Sequence, residues 1–221
     1  MYVVTGASDG LGLEIVKLLV ANGKQVIGLS RGKPSIGGLQ WIQMDLLDVA
    51  SIEAAAQQVV AFDEPVEALI NCAGVLSFEP LGAISSTELD RILKTNTTGP
   101  ILLTSRLAGR IKQDGADIVN VASTVGTKAY KDQAAYGSSK WAMRGFSANL
   151  QLELADTRSR VISFCIGGFR SKIAEKVTGH PMADPENWMA TDEVAKLLVQ
   201  LLELPKNMEV SEIIVNRRAV R

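Results

Sequence analysis

The sequence of 221 residues predicts an α/β fold, a doubly wound parallel sheet of seven strands with helices on both faces. Short, continuously apolar runs alternate with amphipathic stretches along the chain, and such runs are typical of parallel strands that are covered on both sides. Three glycines, at positions 6, 10 and 12, separate the first apolar run from the first amphipathic one. Sheets of this kind bind their ligands at the carboxyl ends of the strands.

Apolar runs and helical periodicity place the elements in order along the chain. Thr191, followed by Asp192 and Glu193, is a capping pattern for the last helix. Strands are predicted at Tyr2–Thr5, Gln25–Ser30, Gln40–Met44, Ala68–Asn71, Asp117–Ala122, Arg160–Cys165 and Glu212–Asn216. Helices are predicted at Leu11–Asn22, Val49–Phe62, Ser86–Lys112, Gln133–Thr157 and Thr191–Glu203.

The segment between the second and third strands departs from this alternation. Arg31–Leu39 is short and rich in glycine and proline, so a helix is not expected there. No change in composition and no linker marks a boundary elsewhere. We therefore expect one domain over residues 1–221, with a substrate lid in the long irregular stretch around residues 167–190.

Composition argues against several classes of protein. The net charge is −1 and basic residues are scattered, which argues against binding to nucleic acid or to an anionic membrane surface. Apolar runs fall short of the ~18 residues of a membrane helix, and no signal peptide is evident. Cys72 and Cys165 each lie in an apolar run that is expected to be buried, so we expect a reduced, cytoplasmic protein. His180, the sole histidine, rules out histidine-based metal clusters, counts against a Ser-His-Asp hydrolase and is expected in a loop.

The glycine loop after the first strand suits a phosphate group. Backbone N–H groups and the helix N-terminus can face a pyrophosphate there, and glycine leaves room for its approach. The spacing is Gly-x-x-x-Gly-x-Gly rather than the commoner Gly-x-Gly-x-x-Gly, and a tight connection without a ligand is the alternative. Asp9 adds a negative charge, and we expect it to hydrogen-bond within the loop or to pair with Arg31.

The end of the second predicted strand indicates which dinucleotide is bound. An acidic residue at this point usually holds the ribose 2′-hydroxyl of NAD. Here the sequence has Ser30 and Arg31, which can form a hydrogen bond and charge-assisted contacts with a 2′-phosphate. NADP is therefore favoured over NAD, the alternative being that Arg31 is a solvated residue at a strand end.

A tyrosine and a lysine are suitably spaced for acid–base chemistry. Tyr136 and Lys140 are four residues apart and lie on one face of a predicted helix. A nearby ammonium favours the phenolate and lowers the pKa of the phenol, which makes the tyrosine a usable general acid or base. Taken alone, such a pair is more often a surface feature, so its meaning depends on the other motifs of the chain.

Several motifs follow one another at matching intervals: Thr5-Gly6-x-x-x-Gly10-x-Gly12, Asn71-Cys72-Ala73-Gly74, Asn96, Ser123 and Tyr136-x-x-x-Lys140. In this combination the chain resembles the short-chain dehydrogenase/reductase family over essentially its whole length. The resemblance implies a Rossmann-type fold and an NADP(H)-dependent oxidoreductase, a carbonyl reductase or alcohol dehydrogenase acting on a small molecule. It implies no metal, because hydride passes directly between nicotinamide and the substrate carbon.

The resemblance also implies catalytic roles. Tyr136 would be the acid/base that protonates the carbonyl oxygen, and Lys140 would lower its pKa and bind the nicotinamide ribose. Ser123 would hydrogen-bond the substrate oxygen. Asn96 matches the family asparagine that supports the lysine through a water. The implied cofactor-binding residues are Gly6, Ser8, Gly10, Leu11, Gly12, Ser30, Arg31, Asp45, Leu46, Asn71, Ala73, Gly74, Tyr136, Lys140, Gly167 and Ser171.

One loop departs from the family pattern. The family usually has Pro-Gly after the sixth strand and then a threonine at the cofactor, whereas this chain has Ile166-Gly167-Gly168 and Ser171. Ser171 can supply the hydroxyl, but the absent proline leaves the ordering of this loop open. The lid from Phe169 to Trp188 has a mixed surface and indicates no particular substrate.

Two functions of different class remain open. The first is catalytic hydride transfer, and the second is an NADP-binding sensor or regulator that uses the same fold without turnover. Relatives of the second kind tend to lose the catalytic set, which is intact here, so the enzyme is favoured. By resemblance, helices Ser86–Lys112 and Gln133–Thr157 pair between subunits, which implies a homodimer or homotetramer.

Overall fold

A computed structural model describes residues 1–171, 173, 175, 177, 179–180 and 184–218 of the chain. In this part of the chain, seven parallel strands form one sheet in the order β3-β2-β1-β4-β5-β6-β7, which confirms the predicted topology. The chain winds outward from β1 in both directions, so the point where strand order reverses lies between β1 and β4. The strands are β1 Tyr2–Thr5, β2 Val26–Ser30, β3 Gln40–Gln43, β4 Ala68–Asn71, β5 Asp117–Val121, β6 Val161–Ile166 and β7 Glu212–Val215.

Helices cover both faces of the sheet, as predicted. Helices α2, α4 and α5 pack on one face, and α1 and α6 pack on the other. Side chains of each strand alternate between these two cores, so that Val3 faces the first core and Val4 the second. These helices and α3 span α1 Gly10–Ala21, α2 Val49–Val60, α3 Ser86–Leu93, α4 Gly99–Asp114, α5 Ala134–Glu153 and α6 Thr191–Leu202.

No helix connects β2 to β3, as the sequence predicts. Pro34 and the positive φ of Gly38, +81°, suit an irregular path through segment 31–39. Ile36 and Leu39 of this segment pack against the core beneath α1 and take the place of a helix. Gly28 leaves room for them, because a Cβ on Gly28 would lie 2.7 Å from Leu39 Cδ1.

The prediction of one helix over Ser86–Lys112 is wrong. The segment is divided into α3, a π-helical turn at Lys94–Thr98 and α4. Pro100 has no N–H to donate to the carbonyl four residues earlier, and the Gly99 N–H bonds the Lys94 carbonyl five residues earlier. This turn carries Asn96, whose side chain is buried.

The segment of the predicted lid was expected to be irregular, but it contains helical residues. Ile173, Glu175 and Val177 are helical, and residues 185–187 form a single 3₁₀ turn. The positions 172, 174, 176, 178 and 181–183 of the predicted lid lie outside the described residues. His180 is exposed in a bend, in agreement with its expected place in a loop.

Thr191 does not cap the last helix. It is the first residue of α6, and Ala190 holds the cap position. The Thr191 hydroxyl instead donates to the Arg170 carbonyl, which lies just after β6. The two acidic residues that follow Thr191 do lie in the first turn of α6, as predicted. The start of α6 is thus joined to the loop that follows β6.

Candidate active site

The sequence-predicted site residues lie along one edge of the sheet. Since the strands are all parallel, their carboxyl ends meet at this edge. Tyr136 and Lys140 lie in the first two turns of α5, and Asn96 lies in the π-helical turn. The loops supply the others: Gly6 after β1, Arg31 after β2, Asp45 after β3, Ala73 and Gly74 after β4, Ser123 after β5, and Gly167 and Ser171 after β6.

The glycine loop fits tightly against its neighbours. Gly6 has a φ of +72°, and a Cβ there would lie 2.9 Å from Ala73 Cα. A Cβ on Gly12 would lie only 2.3 Å from the Gly6 carbonyl oxygen. The Thr5 hydroxyl accepts hydrogen bonds from the N–H groups of Cys72 and Ala73, both at 3.0 Å. The loop is thereby joined to the loop after β4, across the point where strand order reverses.

Asp9 is the N-cap of α1. Its carboxylate accepts a hydrogen bond of 2.8 Å from the Gly10 N–H, which confirms the predicted hydrogen bond within the loop. A carboxylate in this position also interacts favourably with the positive end of the helix dipole. Asp9 therefore stabilises the loop, while it places a negative charge in front of α1.

The shape of the loop fits a pyrophosphate. A Cβ on Gly10 would meet no protein atom within 4 Å, so the space in front of α1 is open. The first N–H groups of a helix have no partners within it, and those of Leu11 and Gly12 begin a helix of twelve residues. Such N–H groups bind dinucleotide phosphates. Ser8, also predicted to bind, is exposed in the same loop.

The end of β2 leaves Arg31 as the predicted phosphate contact. The buried Ser30 hydroxyl donates a hydrogen bond of 2.8 Å to the Gly32 carbonyl and accepts one of 3.2 Å from Trp41 Nε1. Its proton is therefore engaged within the protein, whereas the sequence suggested a donor to the 2′-phosphate. Arg31 is exposed beside it.

Asp45 and Leu46, which follow β3, make their contacts within their own loop and the core. The Asp45 carboxylate accepts a hydrogen bond of 3.0 Å from the Leu47 N–H, and the Asp45 N–H donates one of 3.0 Å to Ser51 Oγ. The Leu46 side chain is buried in the core. Because that side chain is enclosed, the predicted adenine contact at Leu46 would have to use the backbone.

Tyr136 and Lys140 lie close together at the carboxyl edge of the sheet. Lys140 Nζ lies 5.9 Å from the centroid of the Tyr136 ring and donates a hydrogen bond of 2.9 Å to the Val121 carbonyl at the end of β5. Only 5% of Lys140 is exposed. Ser123, two residues beyond Val121, caps a 3₁₀ turn by accepting from the Val125 N–H at 3.2 Å. The strand end thus positions both the lysine and the serine.

The pKa of Tyr136 is raised, in contrast to the lowering expected from Lys140. Burial of the phenol raises its pKa above 10, and the hydrogen-bond interaction with Ser123 opposes this shift. The ammonium of Lys140 is directed at the Val121 carbonyl, so it is not the main influence on the phenol in the protein alone. Tyr136 is therefore a protonated phenol at neutral pH.

The pKa of Lys140 is lowered to about 8. Burial of the ammonium is the main cause, and the side chains of Cys72 and Cys165 partly oppose it. Burial likewise raises the pKa of the Cys72 thiol to about 12, so this thiol is protonated at neutral pH. The site thus combines a phenol that holds its proton with an ammonium that loses its proton more readily than usual.

The lowered pKa of Lys140 predicts a pH-dependent stability. Between about pH 8 and pH 10.5 the unfolded chain holds a proton that the folded chain has released, so the free energy of unfolding should rise with pH. The full contribution is about 3 kcal/mol. Chemical denaturation of the wild type and of Lys140→Met across this range tests it, because the difference between the two curves isolates Lys140. Lys17→Met, at an exposed lysine, should follow the wild type, and a constant difference between wild type and Lys140→Met would contradict the prediction.

Asn96 is held by the backbone of the loop after β4. Its Oδ1 accepts from the Val75 N–H at 2.8 Å, and its Nδ2 donates to the Val75 carbonyl at 2.9 Å. A Cβ on Gly74 would lie 3.4 Å from Asn96 Oδ1 and 3.6 Å from Lys140 Nζ. The absence of a side chain at Gly74 therefore leaves the two polar groups facing one small space.

Sequence reasoning missed several polar contacts of the site. Ser139 Oγ accepts from Asn96 Nδ2 at 3.0 Å, and Asn71 Nδ2 donates to Asn120 Oδ1 at 2.8 Å inside the sheet. Thr5 belongs to the glycine motif, but its contacts with Cys72 and Ala73 have no signal in the sequence. A serine directly before Lys140 is visible in the sequence, but its partner comes from another helix. Pairing of this kind has no local sequence signal.

The loop after β6 shows why glycines replace the usual Pro-Gly. The Gly167 N–H donates a hydrogen bond of 2.8 Å to the Val215 carbonyl and extends the pairing of β6 with β7, which a proline could not do. A Cβ on Gly168 would lie 2.4 Å from Trp188 Cζ3. The Arg170 N–H also donates to the Met189 carbonyl. Arg170 and Met189 are therefore joined near the two ends of the predicted lid segment, and Ser171 follows Arg170 directly.

Metal clusters and membrane-spanning helices are absent from the described residues. No group of three or more His, Cys, Asp or Glu side chains in these ranges is arranged to hold a metal ion. Within the same ranges, no helix has both the length and the apolar character needed to cross a membrane. The cysteines at positions 72 and 165 are not in disulfides.

Comparison with known families agrees with the site. Residues 1–181 match the short chain dehydrogenase family. The chain belongs to the short chain dehydrogenases. Membership places it among oxidoreductases, and the resemblance inferred from its motifs is confirmed.

Individual short chain dehydrogenases show the same relationship. The chain is 32% identical over 195 residues to a putative ketoacyl reductase of Streptomyces coelicolor, covering 80% of this chain and 73% of the relative. It is 31% identical over 171 residues to the NADP-dependent 3-hydroxy acid dehydrogenase YdfG of Salmonella typhi, covering 73% of this chain and 69% of the relative. A serine dehydrogenase in complex with NADP+ has the same fold, with a TM-score of 0.87 at 23% identity over 97% of this chain and 93% of the other.

Proposed function

We propose that this short chain dehydrogenase is an NADP(H)-dependent oxidoreductase that transfers hydride between nicotinamide and the carbon of a small carbonyl or alcohol substrate. The observation that carries the proposal is the proximity of Tyr136 to both Ser123 and Lys140, at the edge of the sheet that also carries the open glycine loop. The similarity to a relative named as NADP-dependent supports the choice of cofactor. A sensor without turnover has no specific observation in its favour.

Tyr136 and Ser123 would supply the proton and hold the reacting oxygen. Bound reduced nicotinamide would supply the hydride. Tyr136 Oη would donate its proton to the carbonyl oxygen as the carbon accepts hydride, which balances a carbonyl to an alcohol. Ser123 Oγ would donate a hydrogen bond to the same oxygen and stabilise its developing charge. The raised pKa keeps the phenol protonated at neutral pH, so Tyr136 holds the proton that this step requires.

Lys140 and Asn96 would hold the cofactor and support Tyr136. The Lys140 ammonium would bind the nicotinamide ribose, and its charge would favour the phenolate that remains after proton transfer. Asn96, held by Val75, faces the space beside Lys140 across Gly74. These roles are carried over from the family resemblance at the matching positions.

Purified protein tests the function directly. NADPH oxidation would be followed by absorbance against aldehydes, simple ketones, 3-oxo esters and 3-oxoacyl thioesters, and NADP reduction against 3-hydroxy acids. Turnover with at least one class is expected. Binding of NADPH without turnover of any of them would instead support the sensor.

Replacement of Arg31 by Ala tests the choice of cofactor. Its guanidinium is the exposed cation at the strand end, and charge-assisted contacts with a 2′-phosphate predict about 10- to 100-fold weaker NADPH binding. NADH binding should change by less than about twofold, because NADH has no 2′-phosphate. Titration of both cofactors by fluorescence measures the effect, with Arg106→Ala, at an arginine on α4, as control. Equal losses for the two cofactors would contradict the assignment.

The same proposal extends to organisation and assembly. We infer one domain over residues 1–221 with a substrate lid around residues 167–190, in a reduced cytoplasmic protein that uses no metal. Trp141 and Leu152 on α5 are 48% and 80% exposed, which suits burial against a second subunit. A homodimer or homotetramer built through α3, α4 and α5 is expected, and light scattering of the purified protein would reveal a monomer if this is wrong.

A further inference from the structure

Ser139 joins two elements of the candidate site. It is fully buried on α5, between Tyr136 and Lys140 in sequence. Its Oγ accepts a hydrogen bond of 3.0 Å from Asn96 Nδ2 and donates one of 2.7 Å to the Tyr136 carbonyl. One hydroxyl therefore connects the π-helical turn to the turn of α5 that carries the phenol and the ammonium.

A second contact strengthens the same connection. The Thr97 hydroxyl donates to the Ser139 carbonyl at 3.1 Å. Asn96 and Thr97 are adjacent on the π-helical turn, so this turn grips Ser139 through both its side chain and its backbone. Interruptions of this type in α-helices occur frequently at functional sites.

Three hydrogen bonds fix the side chain of Asn96 relative to Val75 and Ser139. Its amide donates one N–H to the Val75 carbonyl and the other to Ser139 Oγ, while its oxygen accepts from the Val75 N–H. If the Ser139 hydroxyl is removed, one N–H loses its acceptor in a site that is nearly closed to water. One of the two hydrogen bonds that join the π-helical turn to Ser139 would then be lost, which leaves the position of α5 relative to this turn less firmly fixed.

We propose that Ser139 is a positioning residue, which acts through Asn96 to hold the Tyr136–Lys140 turn in place. Its consequence for catalysis rests on the proposed function. Small displacements of reacting groups lower the rate of the chemical step strongly. Ser139→Ala should therefore lower kcat about tenfold, with KM for NADPH changed by less than about twofold.

Ser147 provides a matched control on the same helix. It is also fully buried, its Oγ accepts from Asn120 Nδ2 at 2.9 Å, and it donates to the Met143 carbonyl at 2.9 Å. Ser147→Ala removes a hydroxyl of the same kind two turns further from Tyr136. Both variants should lower the melting temperature similarly, but Ser147→Ala should keep kcat within about twofold of the wild type. Equal effects on kcat, or a rise in KM without a fall in kcat, would overturn the proposal.

A double-mutant cycle distinguishes an effect of Ser139 that acts through Asn96 from a general loosening of the structure. If Ser139 acts through Asn96, Ser139→Ala should lower kcat by less than about twofold in an Asn96→Ala background, whereas an independent structural effect would be fully retained there. Ser139→Cys, which keeps the size of the side chain but has a weak acceptor, replaces Ser139→Ala if that variant does not fold. The same tenfold fall is expected for it.

Hydrogen exchange tests the role of Ser139 independently of the proposed function. If the wild type turns over no substrate, the enzyme assignment fails, and exchange in peptides spanning residues 94–98 and 134–140 then decides about Ser139. Faster exchange in both segments of Ser139→Ala, but not of Ser147→Ala, would support the connection. Unchanged exchange in either segment would overturn it.

Discussion

Replacement of Tyr136 by Phe should lower kcat for carbonyl reduction by about a thousandfold, within the range that positioned acid–base groups contribute. The change removes only the hydroxyl that would donate the proton, and the ring keeps its place beside Lys140. Cofactor binding should change by less than about threefold, because hydride and pyrophosphate sites do not depend on this proton. Steady-state kinetics and a fluorescence titration with NADPH measure the two quantities.

Tyr2→Phe is the matched control for Tyr136→Phe. The Tyr2 hydroxyl donates a hydrogen bond of 2.8 Å to Glu67, at the end of β1 opposite the glycine loop. Its loss should leave kcat unchanged, with only a small loss of stability. Wild-type turnover by Tyr136→Phe would show that another group supplies the proton, and the proposed mechanism would then be wrong.

The raised pKa of Tyr136 shows where local sequence reasoning fails. The spacing of Tyr136 and Lys140 correctly places both side chains on one face of α5. From that placement alone, the ammonium is expected to lower the pKa of the phenol. Burial acts on both groups at once, however, and it disfavours the phenolate and the ammonium alike. Burial is a property of the assembled sheet and loops, so a pair of residues four apart cannot reveal it.

Strand positions were predictable because most of these parallel strands are covered on both faces, so that they form short and largely apolar runs. Each predicted bound agrees with the structure to within one residue, as for β6, predicted at Arg160–Cys165 and observed at Val161–Ile166. Helical periodicity is less exact, because it continues through an interruption. Pro100 was a visible signal that Ser86–Lys112 could not be one regular helix, and Asn96 lies at the resulting turn.

The positions of the site residues were predictable, but their partners were not. Parallel topology alone brings Ser123 and Ala73 to one edge of the sheet. The contacts of Asn96 with Val75 and Ser139 join a loop, a π-helical turn and α5, which are distant in sequence. Thr191 likewise seemed a helix cap from its neighbours, but the carbonyl it binds belongs to Arg170.

Gly12→Ala should destabilise the protein although alanine is the better helix former. An alanine in the interior of a helix normally gains about 1 kcal/mol over glycine. At Gly12 the new Cβ would lie 2.3 Å from the Gly6 carbonyl oxygen and 2.8 Å from the Gly6 carbonyl carbon, both of them backbone atoms. Relief requires movement of the whole loop, so a net loss of about 3 kcal/mol is expected. Thermal unfolding should show a melting temperature lower by roughly 10 °C.

The same displacement should weaken NADPH binding by about tenfold or more, since the loop would no longer present its N–H groups together. Gly145→Ala on α5 is the control, because a Cβ there would meet no atom within 4 Å. That variant should gain about 1 kcal/mol and bind NADPH normally. If Gly12→Ala were as stable as Gly145→Ala and bound NADPH equally well, the close contact of Gly12 with Gly6 would not be what shapes the loop. If alanine destabilises the protein at position 12 but stabilises it at position 145, Gly12 is needed for the close approach of α1 to β1, at the expense of helix propensity.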